Sequence, residues 1–502
     1  MPAASATAPA TKTAVPYLDM HETHTGVVVL AGDRAYKAKK AVRTDFLDFR
    51  APEQREHACR REVELNSRLS PDSYLGVAHL SDPAGGPPEP VIVMRRYRDE
   101  DRLAYMAFRG PDESVRGALD SVAAVLTRFH RHAQRGRAIS AQGEAEAIER
   151  RWHDNLSELR RYADASTPGV APEAVSRIER LVAEFIAGRA PLLKSRVEEG
   201  CIVDGHGDLL ADDIFWVDGK PALLDCLEFD DELRYVDCID DAAFLAMDLE
   251  FLGRKDLADY FLGRYAEHSG DAAPSSLREF YIAYRAVVRA KVDCVRWSQG
   301  KPAAANDAAR HLALATGHLE SGAVRLVLVG GNPGTGKSTV ARGLAERVAA
   351  QVISTDDVRR ELRDAGAIGG DPGVLDAGLY SADNVAAVYD SVLHRTRPLL
   401  SGGQSVILDG TWRDPDWRAQ ARRLAAETHS VMVELMCSAT IDTAAGRIAT
   451  RRPGSSEVTP EIAAVLAAQR AGWDSAHLID TSARPENAVR EAHDVWQHST
   501  LG

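Results

Sequence analysis

The sequence lacks most features that would tie it to a special environment. Its six cysteines, Cys59, Cys201, Cys226, Cys238, Cys294 and Cys437, include no C-x-x-C pair. That spacing excludes the common zinc and dithiol motifs and predicts reduced thiols. No apolar run approaches the roughly 18 residues of a membrane span. The opening MPAASATAPATKTA has neither the basic stretch nor the apolar core of a signal peptide. Residues 1–15 read as a disordered tail, and the chain as cytoplasmic with no membrane partner. Positive charge is also in deficit, with 61 Lys and Arg against 74 Asp and Glu. The net charge of −13 argues against broad nucleic-acid binding. Interleaved aromatic and basic stretches, which would favour it, are absent. Nothing in the sequence reports an oligomeric state.

What remains is an ordinary globular composition, 45% hydrophobic and 27% charged, in a chain of 502 residues, too long for one core. GVVVLAGDRAYKAKK reads as two strands joined at Gly32-Asp33. A charged helix is expected over about 52–69, and VIVMRRY as a strand. Helical spacing recurs over 114–134, 143–164 and 172–198. FWVDGKPALLD reads as strand, Asp-Gly turn and strand, and 240–297 as helical. SQGKPAAANDAA and the helix-like run to about 318 form a connection. Beyond it, apolar strands (RLVLVG, QVIS, SVILD, VMVELMCS, HLID) alternate with helices, which implies a parallel sheet. The expected domains are 16–298, a linker at 299–322, and 323–502, with no internal repeat.

GNPGTGKST, Gly331-Asn332-Pro333-Gly334-Thr335-Gly336-Lys337-Ser338-Thr339, fits G-x-x-x-x-G-K-[ST]. It follows the strand RLVLVG and opens a helix, the setting a phosphate loop requires. Backbone N–H groups and the helix N-terminus would cradle phosphate. Lys337 would reach the β- and γ-phosphates of ATP, and Ser338 would hold magnesium. Asp356 ends the next strand, facing the crevice where ligands of parallel sheets bind. There it would accept a proton from a substrate hydroxyl, with Arg359 one turn on to hold the substrate. The alternative is that Asp356 or Asp357 only caps the helix. Asp409 ends SVILD and Arg413 follows. AAGRIATRRPG supplies Arg447, Arg451 and Arg452, a phosphate-closing lid or else a solvated basic face.

Residues 323–500 resemble the small P-loop kinases related to gluconate kinase, chloramphenicol phosphotransferase and zeta toxins. The resemblance rests on the phosphate loop, Asp356 with Arg359, Asp409 and the arginine-rich segment. It implies phosphorylation of a small-molecule or sugar-nucleotide hydroxyl, with Asp356, Lys337 and Arg451 in catalysis, Arg359, Arg413 and Arg447 on the substrate, and Asp409 beside the metal.

DGHGDLLADDIF has the form of a kinase catalytic loop, with Asp208 placed to orient a hydroxyl. Asp225 ends the following hairpin, where a second carboxylate would meet the metal. Such a site needs a strand Lys braced by a helix carboxylate. AYKAKK offers Lys37 and Lys39 on one strand face, and REVELNSRL offers Glu62 and Glu64; Lys37 with Glu62 is the preferred pair. No G-x-G-x-x-G precedes them, which counts against a protein kinase.

These motifs, with VDCIDDAAF, resemble the aminoglycoside phosphotransferase and choline kinase group over residues 20–300. The resemblance implies a two-lobed protein-kinase-like α+β fold, ahead of the α/β P-loop domain. It makes Asp208 the catalytic base, Asp225 a magnesium ligand, Asp241 a brace for the loop and His206 a scaffold residue. Asp213 stands where the group carries a metal-ligating Asn. It keeps ligand capacity and adds charge. The whole therefore reads as an ATP- and magnesium-dependent phosphotransferase with two kinase-type sites for small-molecule hydroxyls. The alternative is a non-catalytic, ligand-sensing N-terminal module that regulates the P-loop kinase.

Overall fold

The computed structural model describes residues 17–22, 26–43, 48–165, 167–371, 377–450 and 472–499. The chain forms two compact units that do not follow simple chain order. Met1–Gln142 and Ile202–Asp271 make the first; Gly143–Cys201 and Ala272–Gly502 make the second.

The first unit begins with an antiparallel sheet of order β1-β2-β3-β5-β4. Its strands are β1 (Leu18–Glu22), β2 (Gly26–Ala31), β3 (Arg34–Lys39), β4 (Tyr74–Leu80) and β5 (Glu89–Arg95). The expected hairpin at Gly32-Asp33 is present, with Ala31 opposite Arg34. The helix Pro52–Asn66 packs on this sheet around Cys59, Tyr74, Ile92 and Met94. Pro52 suits its first turn, where an N–H would have no helical partner. After the helix Asp112–His132 come β6 (Ile202–Asp204), β7 (Ile214–Val217), β8 (Lys220–Leu223) and β9 (Tyr235–Asp237). β7 and β8 form the expected Asp-Gly hairpin, and β6 pairs with β9. Asp237 then caps the helix Cys238–Phe251 by accepting from the Ile239 N–H. This two-lobed architecture is the protein-kinase-like α+β fold. β1 and β4 have no counterpart among the sequence expectations; they are the two edge strands of the sheet, and most of their residues are exposed.

The second unit is built on a parallel sheet of order β11-β12-β10-β13-β14. β10 is Arg325–Gly330, β11 Gln351–Ser354, β12 Val406–Asp409, β13 Val431–Ser438 and β14 His477–Asp480. β10 is buried along its whole length, as a central parallel strand must be. Leu326 and Leu328 enter one core, Val327 and Val329 the other. The helices Ala145–Asp164, Pro172–Glu198 and Ser275–Ser298 cluster with this unit although the sequence reading groups them with the first domain. The connection expected at 299–322 contains the helix Ala304–Ser321, packed along Ser275–Ser298.

Arg189 ties the helix Pro172–Glu198 to the sheet layers. Its guanidinium donates to the carbonyls of Leu400, Thr428 and His429, at the C-terminal ends of two helices. Burial pulls this arginine down to about 10, and it remains a cation facing the negative ends of both helices. Arg189→Met leaves those carbonyls without their donor. It should lower unfolding free energy by roughly 2–3 kcal/mol in chemical denaturation, with little recovery in Arg189→Lys.

Candidate functional site

In the first unit, strand alternation places Lys37 and Lys39 on one face of β3, and both meet Glu62 from the helix Pro52–Asn66. Lys37 Nζ lies 2.8 Å from Glu62 Oε1 and 2.6 Å from Asp225 Oδ1. Lys39 Nζ lies 2.6 Å from Glu62 Oε2 and 2.5 Å from Glu228 Oε1. Burial alone would lower the Lys37 pKa, but Asp225 and Glu62 hold it well above the usual lysine range. Asp225 in turn is held below the usual carboxylate range, chiefly by Lys37. Glu64 instead points to solvent and pairs with Arg61.

The backbone around Asp225 is fastened on several sides. Ser70 Oγ donates to the Leu223 carbonyl and accepts its N–H. Tyr74 Oη accepts the Asp225 N–H, and Asn66 Oδ1 accepts the Cys226 N–H. Asp225 itself is left-handed at φ 62, a conformation a non-glycine residue keeps only when its surroundings impose it.

The loop before it is held equally firmly. Asp241 accepts the N–H groups of His206 at 2.7 Å and Gly207 at 2.9 Å, and its third contact, to His130 Nε2, is 3.0 Å. His206 is fully buried; its Nε2 faces the Leu224 carbonyl and its Nδ1 accepts from the Asp208 N–H. Burial lowers its pKa, so it stays neutral and braces the loop. Asp208 is half-buried. Asp213 sits in the turn before β7, and its carbonyl accepts the Leu224 N–H. Burial, then the charges of Asp225 and Asp208, push Asp213 well above the usual carboxylate range. Asp213 thus feels the charge of both other carboxylates.

In the second unit, the phosphate loop leaves β10 and enters the helix Lys337–Val348. Gly331, Gly334 and Gly336 have positive φ. At Gly334 (φ 81) an added Cβ would lie 2.6 Å from the Ala444 carbonyl oxygen, so a side chain is excluded by contact as well as by φ. Lys337 Nζ donates to the Asn332 carbonyl within the loop at 3.0 Å. Asp409 pairs in register opposite Val329 and hydrogen-bonds Ser338. Burial raises its pKa, opposed by Lys337 and by that bond.

Ser354, not Asp356, caps the next helix by accepting the Asp356 N–H. The Asp356 carboxylate instead pairs with Arg359 at 2.9 Å, and that guanidinium lies 4.7 Å from the Tyr380 ring centre. Arg413 is half-buried beside fully buried Trp412. Arg447 donates to the Thr481 carbonyl at 2.7 Å, and Thr481 Oγ1 donates to the Thr335 carbonyl in the phosphate loop. Arg451 and Arg452 lie outside the described residues. Sequence reasoning missed Glu228, Asn66, Tyr74, His130 and Thr481. Only Glu228 had a signal, an acidic residue three positions after Asp225.

The buried His130–Asp241 pair makes the first unit's stability depend on pH. Burial alone would lower the His130 pKa, but Cys238 and Asp241 raise it to about 10; Asp241 is held below its usual range, mainly by His130 against the opposing effect of burial. The folded state thus keeps a proton on His130 that the unfolded chain loses near pH 6.5. This contribution should be full below about pH 6.5 and decline as pH rises toward 10. The Asp241 contribution is present above about pH 4 and lost on acidification. His130→Gln should flatten the alkaline decline in pH-dependent urea unfolding.

A family model described as an AAA domain matches residues 326–474. Among solved structures, a choline/ethanolamine kinase family protein of Mesorhizobium loti is 16% identical, covering 61% of this chain and 94% of that one at a TM-score of 0.36. A gluconokinase of Sinorhizobium meliloti is 19% identical, covering 34% and 90% at a TM-score of 0.26. The uncharacterized protein Rv2004c of Mycobacterium tuberculosis is 66% identical over 482 residues, 96% of each chain. At that identity and coverage, the protein belongs to the same family as Rv2004c.

Proposed function

We propose that the protein is an ATP- and magnesium-dependent phosphotransferase with two kinase-type sites. Each would transfer the γ-phosphoryl group to a hydroxyl of a small molecule, such as a sugar, an amino sugar or an aminoglycoside-like compound. The observation that carries the reading is the meeting of Lys37, Glu62 and Asp225 from a strand, a helix and a loop. The fastened backbone at 223–226 keeps this set preorganised, which is what phosphoryl transfer asks of a protein.

The donor sets suit magnesium. Among the described residues no group of three or more His, Cys, Asp or Glu is assembled as a metal site. Nucleotide-bound magnesium needs only one or two carboxylates, the phosphates and water completing its shell. Asp213 and Asp225 supply hard oxygens at the first site, Ser338 and Asp409 at the second. When bound, the ion would neutralise charge that develops on transfer.

At the first site, Lys37 binds the nucleotide phosphates and Asp208 orients the acceptor hydroxyl and takes its proton. At the second, the loop Gly331–Thr339 cradles the phosphates and Lys337 reaches the terminal one. Asp356 accepts the hydroxyl proton. Arg359, Arg413 and Arg447 hold substrate, and Arg451 is assigned to the transferring group from its place in the sequence. One observation favours a second reading, a first site that binds ligand without turnover: Asp213 adds a carboxylate where the likeness calls for Asn.

ADP release with a panel of sugars, amino sugars, aminoglycosides and nucleosides separates these readings. Asp208→Asn should cost about 100-fold or more with one class of acceptor, and Lys337→Ala should abolish turnover with another. Turnover that only Lys337→Ala removes, for every acceptor, would leave the first site silent.

A further inference from the structure

The first site contains two lysines where a kinase-type cleft needs one. Glu62 is fully buried, and each of its oxygens faces a different ammonium group, Lys37 at 2.8 Å and Lys39 at 2.6 Å. Each lysine has a second carboxylate partner, Asp225 for Lys37 and Glu228 for Lys39. The chain of charges therefore runs Asp225, Lys37, Glu62, Lys39, Glu228.

The two ends of this chain differ. Lys37 is the more exposed lysine, and its partner Asp225 is the carboxylate assigned to the metal. Lys39 has a side chain only 3% exposed, lies over the Phe49 ring, and its partner Glu228 is 15% exposed. Strand geometry sets the backbones of the two lysines about 7 Å apart along β3; their ammonium groups meet at Glu62, and their second partners set them apart.

We propose that Lys39 and Glu228 are positioning residues, a strut that holds Glu62 and the segment after Asp225 while Lys37 serves the nucleotide. The proposal rests on the reading of this cleft as a nucleotide site. When Lys37 turns toward phosphate and Asp225 toward metal, the Lys37–Asp225 contact is given up. Lys37 would then share its charge between phosphate and Glu62, leaving the buried Glu62 carboxylate less fully neutralised by it, an unfavourable state in a medium that solvates charge poorly. Lys39 keeps it neutralised. Through Glu228, Lys39 also keeps β3 tied to the chain that bears Asp225, so the cleft retains its geometry through the exchange. The duplication in AYKAKK thus divides labour: Lys37 moves, Lys39 stays.

The test measures binding of ADP with magnesium to full-length Lys337→Ala protein, in which the phosphate loop is disabled, by calorimetry across a magnesium titration. Lys39→Met and Glu228→Gln should each weaken binding roughly 10–100-fold, and the double variant should be no weaker than the worse single. Lys39→Arg, which keeps the charge, should restore most of the affinity and covers the case in which Lys39→Met fails to fold. A raised magnesium requirement in Glu228→Gln alone would make Glu228 a metal ligand and overturn the strut. Unchanged affinity in Lys39→Met and Glu228→Gln, even with a lowered Tm, would also overturn it. Absence of any nucleotide binding in the Lys337→Ala parent would instead overturn the reading of the cleft, and the proposal with it.

Discussion

A carboxylate with no access to water must be matched by positive charge or lose its own. Glu62 is such a group, at 0% exposure in the centre of the first unit. Everything near it answers that requirement. Strand alternation in β3 presents two ammonium groups on one side, and the helix Pro52–Asn66 is packed on the sheet so that Glu62 falls between them. Removing either lysine leaves excess negative charge in a poorly solvating place. The same pairing fixes the distance between the sheet and the loop carrying Asp225. Helix position, lysine orientation and carboxylate placement are therefore one electrostatic arrangement seen from three elements.

The second unit meets the phosphate problem with backbone instead of side-chain charge. Its strand order sets β12 directly beside β10, so Asp409 emerges next to the start of the phosphate loop and reaches Ser338. β11 lies on the far side of β12, which brings Asp356 to the same end of the sheet. Parallel strands share a direction, so all three strand ends open on one crevice. The loop's conformation is guarded from outside: Thr481 and Arg447 bind the carbonyls and hydroxyls around Thr335, and the Ala444 carbonyl closes the space at Gly334.

Much of this was legible in the sequence because it depends on local pattern. The hairpin at Gly32-Asp33, the Asp218-Gly219 hairpin and the five parallel strands each declare themselves by apolar runs and turn residues. The run 240–297 reads as helical and is interrupted at Gly253 and around Gly270, dividing it into three helices. Other features are set by tertiary contact and leave no periodic trace. β1 is an exposed edge strand. Arg189 looks like any helical arginine, yet it is buried against two helix ends. The helices Ala145–Asp164 and Pro172–Glu198 precede the catalytic-type loop in sequence but bury their apolar faces with the P-loop unit. The choice between Lys37 and Lys39 was open for the same reason. Alternation puts both on one face, and only partners from distant segments distinguish them.

The two sites differ most in their charge before any ligand arrives. At the first, Asp225 pairs with Lys37, and burial, then Asp225 and Asp208, push Asp213 above the usual carboxylate range. Nucleotide phosphate would add negative charge to a cleft already short of cations. A divalent ion held by Asp213 and Asp225 would offset both charges. At the second site, Arg359 pairs with Asp356, Lys337 acts on Asp409, and the helix N-terminus adds partial positive charge. Phosphate can be bound there with less help from a metal. Under the proposed function, an Asp in place of Asn at position 213 would make binding at the first site depend more steeply on magnesium than binding at the phosphate loop. In this reading the substitution tunes the cleft to the metal–nucleotide complex and discriminates against nucleotide alone.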